Sequence, residues 1–154
     1  MTADSWIIYD EFKERMGDGT IDMDGDTFKL ALFLSTSNCG NRAVGTTILA
    51  DLTNQHANAN GYTTGGVTLS SVTWVESSGT ITFDCADPTW TASGGNLVFR
   101  FGVIWDDTPA APADPLVGYT IFDNTPADVT VLDGNVFTMN VHTNGLFTLA
   151  GGET

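Results

Sequence analysis

Short runs of alternating apolar and polar residues, separated by glycine-rich turns, make up most of this chain. Alternation of this kind places the apolar side chains on one face of an extended strand. The clearest case starts at Leu97, from which every second residue up to Trp105 is large and apolar. The pattern predicts about eight strands, over Thr27–Ser35, Val67–Val75, Thr80–Cys85, Leu97–Trp105, Leu116–Phe122, Val129–Leu132, Asn135–Val141 and Gly145–Leu149.

Turn residues stand between these runs, at SSG (77–79), at SGGN (93–96) and at the pairs Asp133-Gly134 and Asn144-Gly145. Asp-Gly and Asn-Gly favour the type I′ turn of a hairpin, because both central residues of that turn need a positive φ. Each of the two pairs is therefore expected to close a hairpin. Short strands at this spacing predict a mainly β fold, an antiparallel, jelly-roll-like β-sandwich.

The N-terminal part has a different period, with large apolar residues at helical spacing at Trp6, Tyr9, Phe12 and Met16. Asp4 or Ser5 can cap the start of such a helix, and Gly17 stands where a helix end favours glycine. The pattern predicts one N-terminal α-helix over about residues 5–16, ahead of a β-sandwich over about residues 27–149. A second, short helix is expected within 46–55, TTILADLTNQ.

The chain has the length of one domain, residues 1–154. Its hydrophobic fraction of 42% is close to the globular average, so a core can form without support from a metal or a disulfide. No apolar run approaches the roughly 20 residues that cross a bilayer as a helix. The start, MTADSWIIYDEF, lacks the basic residues and the cleavage site of a secretion signal.

Acidic residues dominate the charge, with 19 Asp or Glu against 5 Lys or Arg and a formal net charge of −14. A surface of this sign repels phosphate backbones and anionic lipids, so we expect neither nucleic acid nor membrane as a partner. It attracts a basic partner and favours solubility.

The segment GDGTIDMDGD (17–26) places four aspartates among three glycines. An EF-hand loop starting at Asp22 would need glycine at its sixth position and glutamate at its twelfth, where Thr27 and Phe33 stand. The EF-hand interpretation therefore fails. A turn built by Asp-Gly pairs is expected, and a looser cation site formed by Asp18, Asp22, Asp24 and Asp26 stays open.

No motif of a catalytic nucleophile, a zinc site or a phosphate loop is present. The two histidines, His56 and His142, have no companion residues and are expected at the surface. Cys39 and Cys85 belong to no CxxC pair; free thiols are expected, and a disulfide between them stays open. We expect no enzyme, no cofactor and no metal.

Neighbouring carboxylates, Asp84 with Asp87 and Asp106 with Asp107, leave the acid pair of a glycosidase open, although so acidic a chain produces such pairs by chance. Three tryptophans of the β region, Trp74, Trp90 and Trp105, could form a platform for a sugar ring. Burial in the core is favoured for Trp74 and Trp105, whereas Trp90 is expected near the surface.

The chain resembles a group of small tailed-bacteriophage proteins encoded among virion structural genes. The resemblance runs from Trp6 to Leu149 and comes as ordered segments: WIIYDEFKERMGDGTIDMDGDTFKLALF, NGYTTGGVTLSSVTW, FDCADPTWTASGG, FRFGVIWDDT, PLVGYTIFD and GLFTL. It implies a β-sandwich component of the virion and brings no catalytic or ligand-binding residues with it.

From this resemblance we expect a capsid decoration, or cement, protein on the outside of the head that stabilises subunit junctions. The implied partners are the major capsid protein or other virion proteins, and a second or third copy of the chain. The N-terminal helix and the loop DDTPAAPADP (106–115) are the expected contact segments. A component of the tail or of the head–tail junction is the alternative, and a host-glycan-binding module is an alternative of another class.

Overall fold

The computed structural model describes residues 3–42, 45–125 and 127–151. In these stretches the chain forms twelve short β-strands, one α-helix and one turn of 3-10 helix at Leu49–Asp51. The helix α1 is Phe12–Gly17. The strands are β1 (Ile7–Ile8), β2 (Phe28–Phe33), β3 (Val67–Thr68), β4 (Thr73–Ser77), β5 (Thr80–Asp84), β6 (Thr89–Thr91), β7 (Leu97–Phe99), β8 (Phe101–Asp106), β9 (Leu116–Ile121), β10 (Val129–Val131), β11 (Val136–Thr138) and β12 (Phe147–Ala150).

All strand pairs are antiparallel, so the prediction of a mainly β, antiparallel fold is confirmed. The large sheet has five strands in the order β1-β9-β8-β2-β3. Another sheet has the order β12-β5-β4. Two further sheets have two strands each: β6 pairs with β11, and β7 pairs with β10. We call these four strands together the ribbon.

The two faces of the large sheet contact different cores. Phe28, Leu30 and Leu32 of β2 point into the main core, which also contains residues of β5, the ribbon and α1. Ala31 and Phe33 point into the second core, which the segment 34–56 covers with Cys39, Leu49 and Leu52. β2 was expected to bury one face only; it buries both because that segment lies over its other side.

The predicted strand Leu97–Trp105 is two strands in different sheets, joined at Arg100. Leu97 and Phe99 lie in the main core, whereas Phe101, Val103 and Trp105 lie in the second core. The alternation continues in sequence, but the chain passes from the ribbon to the large sheet at Arg100 and changes the core that its odd-numbered residues face.

The predicted strand Val67–Val75 is likewise divided, into β3 and β4. The chain bends between them at Ser71, which has a φ of 51°. These two divisions raise the strand count from the expected eight to ten, and β1 and β6, which were not predicted, bring it to twelve.

The prediction of a helix over residues 5–16 is wrong in its first half. Ile7 and Ile8 form β1, which pairs with Tyr119 and Gly118 of β9, and the helix begins only at Phe12. The β-branched isoleucines suit a strand, and the edge of the large sheet offers them hydrogen-bond partners that outweigh the helical spacing.

The helix ends also differ from prediction. Glu11, rather than Asp4 or Ser5, is the N-cap, and its side chain makes no capping hydrogen bond. Past the C-terminal end, Gly19 rather than Gly17 has a positive φ, of 79°. Of the short helix expected within 46–55, only the 3-10 turn forms.

Neither Asp133-Gly134 nor Asn144-Gly145 closes a hairpin, because the strands on either side of each pair bond to other strands. Gly134 lies within the ribbon, opposite the SGGN segment, where its N–H donates to Ala92 O. The turn that joins β4 to β5 does close a hairpin, and its two central residues, Ser78 and Gly79, both have a positive φ.

Candidate functional site

The two acidic segments of the sequence meet in the structure. Residues 26–28 and 106–108 run side by side, since Thr27 N donates to Thr108 Oγ1 at 2.7 Å and Asp107 N donates to Thr27 O at 2.8 Å. This contact brings the end of the GDGTIDMDGD loop against the end of β8. It places Asp26 beside Asp106, and the Asp26 carboxyl is one of the groups that raise the pKa of Asp106.

Within the loop, the aspartates bind the loop's own backbone. Asp22 Oδ1 accepts from the N–H groups of Asp24 at 3.1 Å and Gly25 at 3.2 Å, and Asp26 Oδ2 accepts from Asp22 N at 2.8 Å. Asp18 Oδ1 accepts from Thr20 N at 2.8 Å, and the hydrogen bonds from Thr20 lower the pKa of Asp18. The expected turn is confirmed. In the described part of the chain, no three His, Cys, Asp or Glu residues are grouped to hold a metal ion.

Asp106 is the exceptional acid of the molecule, with a side chain that is 0% exposed. Its Oδ1 accepts from Thr108 N at 2.9 Å, but its Oδ2 has no hydrogen-bond donor. Burial, together with the neighbouring Asp26 carboxyl, raises the pKa of Asp106 to about 7. Sequence reasoning noted Asp106 only beside Asp107, and nothing in the sequence shows that Asp26 is its partner.

Neither of the adjacent carboxylate pairs acts as a pair. Asp107 binds Lys29 at 2.8 Å instead of facing Asp106. Asp84 Oδ1 accepts from Cys85 N and Asp87 Oδ1 accepts from Val141 N. Each of these carboxylates serves a local structural bond.

The histidines differ from each other. His56 is buried, with its ring 5.2 Å from that of Tyr62 and its Nδ1 2.8 Å from Ala57 O, so the expectation of a surface position is wrong for His56. The polar residues around His56 in the sequence do not reveal that its ring lies against Tyr62 or that its segment covers β2. His142 is exposed, as expected, and its Nδ1 accepts from Asn144 N.

The three tryptophans form no common platform. Trp90 is 3% exposed and stacks on Phe137 at 5.8 Å, so its predicted surface position is wrong. Trp105 lies in the second core and donates to Gly65 O at 3.0 Å. Trp74 is half-buried against Phe83 and Phe147, at the rim of the main core.

Both cysteines are free and buried. Cys39 belongs to the second core and Cys85 to the main core, so the large sheet separates them. Burial raises the pKa of each thiol to about 12. The expected free thiols are confirmed, and the burial makes both unreactive at neutral pH.

A cleft of about 410 Å³ lies between the N-terminal segment and residues 139–146. We name it the Trp6 cleft, after the half-buried indole at its wall; Asp4, Asn140 and His142 supply polar groups. The sequence predicted Trp6 on the apolar side of a helix, whereas it precedes β1 and lies at a cleft that was not predicted.

An open groove of about 560 Å³ lies between α1 and the sheet of β4, β5 and β12. We name it the helix groove. Its apolar lining comes from Met16, Trp74, Ile81 and Leu149, and Lys13 lies at its edge.

The loop 107–113 projects from the large sheet with an exposed tip of small apolar residues, Ala110, Ala111, Pro112 and Ala113. Its base is fixed by the Lys29–Asp107 ion pair and by the bond from Leu49 N to Asp114 O at 2.9 Å. The tip is therefore an apolar projection on a fixed support.

Three of the basic residues pair with acids of the same chain: Arg15 with Glu11, Lys29 with Asp107 and Arg42 with Asp10, each at 2.8 Å. These pairs leave most of the acidic groups without a basic neighbour, so the surface is strongly negative.

Among the described residues, no helix has the length and apolar character needed to cross a membrane. Compared with models of protein families, with curated proteins and with solved structures, the chain matches none of them.

Proposed function

We propose that this chain is a bacteriophage virion structural protein, a decoration or cement protein on the outside of the capsid. The ordered resemblance of its segments to small tailed-phage structural proteins is the starting point of the proposal. The observation that carries it is the acidic surface. The net charge is −14, and three of the five basic residues are paired with acids of the same chain. Such a surface suits the side of a shell that faces away from packaged DNA.

The architecture supports the same role. We propose that the layers form a jelly-roll-like β-sandwich, because the large sheet, the β4-β5-β12 sheet and the ribbon contribute to one main core. A protein that stabilises subunit junctions needs a rigid body with projecting contact segments. We assign it no enzymatic role, no cofactor, no nucleic acid and no membrane as partner.

The contact segments that we propose are the apolar tip at Ala110–Ala113 and the helix groove. The tip offers apolar area without charge, and the groove offers Met16, Trp74 and Leu149 beside the acids Asp22 and Asp24. A basic, partly apolar segment of the major capsid protein, or of another virion protein, would complement both.

Self-association into a dimer or trimer is part of the proposal. Three large apolar side chains are strongly exposed: Val75 at 58%, Leu132 at 57% and Val136 at 58%. Leu132 and Val136 lie close together in sequence in the middle of the ribbon, between its two paired stretches, and we propose that this part contributes to contacts between copies.

The first test is the copy number on purified particles of the phage that encodes the chain. A decoration protein predicts at least about one copy per major capsid subunit on a quantified gel, because it repeats with the shell lattice. The runner-up, a tail or head–tail junction component, predicts tens of copies at most. Absence from intact particles contradicts both.

A binding test with heads that lack the protein examines the contact segments. Ala111→Glu adds a charge to the apolar tip and is expected to weaken binding by about tenfold or more. Thr143→Glu adds the same charge at an exposed position elsewhere and is expected to leave binding unchanged. Binding should also weaken as NaCl concentration rises, because salt screens the attraction to basic patches. Equal binding by both variants would contradict the assignment of the tip.

One observation favours a host-glycan-binding module as a second candidate. The Trp6 cleft combines an indole with Asp4, Asn140 and His142, and sugars are commonly bound by an aromatic face with polar groups around it. Trp90, the residue first considered for this role, is buried and unsuitable. Titration with host surface polysaccharide should change tryptophan fluorescence in the native chain and not in Trp6→Ala. An unchanged signal in the native chain contradicts this candidate.

A further inference from the structure

We propose that the carboxyl groups of Asp26 and Asp106 form a binding site for one hard divalent cation, of which calcium is the type that fits best. The site lies where the GDGTIDMDGD loop meets the end of β8, and it is independent of any role on a capsid. It differs from a site formed within the loop alone, since it joins Asp26 of the loop to Asp106 of β8, whereas Asp18 and Asp22 accept from N–H groups of the loop.

The buried carboxyl of Asp106 has an oxygen that needs a partner. The side chain is 0% exposed, and Oδ2 lacks a donor. A buried polar atom without a partner costs about 1–3 kcal/mol, and more when it is charged, so native proteins pair such groups or bind an ion with them. The nearby group is the Asp26 carboxyl, which as a carboxylate is another acceptor.

The two carboxyls lack compensating positive charge in the described part of the chain. Lys29 is the basic residue at this end of β2, and its Nζ is already bound to Asp107 at 2.8 Å and lies 5.3 Å from the Trp105 ring. Asp114 adds a further acid beside Asp107 and Lys29. Lys29 is thus engaged by Asp107 with Asp114 nearby, and a bound cation would offset the charge of Asp26 and Asp106.

The backbone holds the two carboxyls in place. Thr108 joins the segments, because its hydroxyl accepts from Thr27 N and its own N–H donates to Asp106 Oδ1. Asp26 Oδ2 accepts from Asp22 N at 2.8 Å, which orients the second carboxyl. The pair is therefore positioned by the fold before any ion binds.

The ligand chemistry selects the class of ion. The pair offers oxygen and neither nitrogen nor sulfur, which suits calcium or magnesium better than zinc or copper. Calcium tolerates irregular geometry and can take its remaining ligands from water on the side of the half-buried Asp26, whereas magnesium requires near-octahedral geometry. Two carboxylates make a weak site, with a dissociation constant of about 10⁻⁴–10⁻³ M.

The test is thermal unfolding of the full chain at about pH 8, where carboxyl groups with ordinary pKa values are ionised. The native chain is compared in about 5 mM CaCl₂, in MgCl₂ of equal concentration, and in EDTA with NaCl at matched ionic strength. Calcium is expected to raise the Tm by about 3–5 °C over EDTA, and magnesium by less. Isothermal titration should show about one site per chain.

Three variants separate this site from general binding to an acidic surface. Asp26→Asn and Asp106→Asn each remove one proposed ligand and are expected to reduce the calcium shift to below about 1 °C, while raising the Tm in EDTA by relieving repulsion. Asp24→Asn removes the same charge from the exposed part of the loop and should keep the shift. If Asp106→Asn fails to fold, Asp26→Asn decides the matter alone. No calcium shift in the native chain, or an equal shift in all the folded variants, overturns the proposal.

Discussion

At the scale of single residues, Gly66 shows how closely the loop before β3 approaches the large sheet. Its φ is 87°, and a Cβ at this position would stand 1.9 Å from Leu30 O and 2.7 Å from Ala31 Cα. These are backbone atoms of β2, so they cannot move aside without disturbing the strand. Only glycine fits here, for reasons of both space and backbone conformation.

Gly66→Ala is therefore expected to destabilise the fold by about 4 kcal/mol or more, or to prevent soluble expression. Gly134→Ala is the matched control: its φ of 81° is similar, but nothing lies within 4 Å of its Cβ position. That variant should lose only about 1 kcal/mol, from backbone strain. Urea denaturation measures both, and similar losses would show that the close approach is absent in solution.

Asp51 gives a pH dependence at the scale of one side chain. Its Oδ2 accepts from Thr47 N at 2.9 Å and Ile48 N at 3.1 Å, and these hydrogen bonds lower its pKa. Because the folded pKa is below the unfolded value, the stabilisation is present above about pH 4 and is lost as pH falls through the folded pKa.

Asp51→Ala is expected to cost about 1 kcal/mol near pH 6, a value kept small because the group is partly exposed and solvent screens it. The difference from the native chain should shrink below about pH 3, where the native Asp51 is protonated too. Denaturant unfolding at a series of pH values measures this difference in stability between the variant and the native chain. A difference that stays constant down to the lowest pH would contradict the role of the ionised carboxylate.

At the scale of elements, the β4–β5 hairpin has a turn whose sequence is not optimal for its geometry. Ser78 has a φ of 54° and Gly79 a φ of 81°, the pattern of a type I′ turn, for which Asn-Gly is the favoured pair. Ser78→Asn should therefore raise the free energy of unfolding by several tenths of a kcal/mol, about 0.5.

Asp133→Asn serves as the control for this substitution. It also creates an Asn-Gly pair, but this pair lies within the ribbon and closes no hairpin. It also alters the carboxylate that accepts from Gly94 N, so no gain is expected there. Chemical denaturation measures the free energy of unfolding of the two variants, provided that both depend on denaturant concentration with the same slope as the native chain. A loss of stability in Ser78→Asn would contradict the turn assignment.

The same elements show what the sequence can and cannot reveal. Alternation identified Phe28–Phe33 and Leu116–Ile121 because each is a straight run within one sheet. It could not reveal the change of sheet at Arg100, since apolar residues continue at every second position across it. Local patterns also made residues 5–11 look helical, because the partner that turns Ile7 and Ile8 into a strand is distant in sequence.

The candidate site shows the same limit. The turn within residues 18–26 was predictable, because Asp18, Asp22 and Asp26 each bind backbone N–H groups within four residues of themselves. The contact of Asp26 with Asp106 depends on the pairing of β2 with β8, which no local signal encodes. Burial of Trp90 and His56 depends in the same way on distant elements.

At the scale of the whole molecule, the charge of −14 opposes compact folding through self-repulsion. Salt shortens the range of this repulsion, to about 10 Å at 0.1 M and less above it. The Tm should therefore rise by several degrees, about 3–6 °C, between roughly 10 mM and 500 mM NaCl near pH 8. Calorimetry measures the shift.

The control is the same salt series near the isoelectric point, at a pI of about 4.1. With little net charge the repulsion is gone, and the dependence on NaCl should be weak there. A Tm that is independent of salt near pH 8 would mean that pairing and spacing of the acids already cancel their repulsion.

The strand order of the large sheet also determines when this sheet can form during synthesis of the polypeptide. β1 and β2 leave the ribosome before β8 and β9, which lie between them in the sheet. Until then β2, with the apolar side chains Phe28, Leu30 and Leu32, lacks its backbone hydrogen bonds to β8. Assembly of this sheet therefore follows the synthesis of β8 and β9, and β2 is the apolar strand that a chaperone would shield in the meantime.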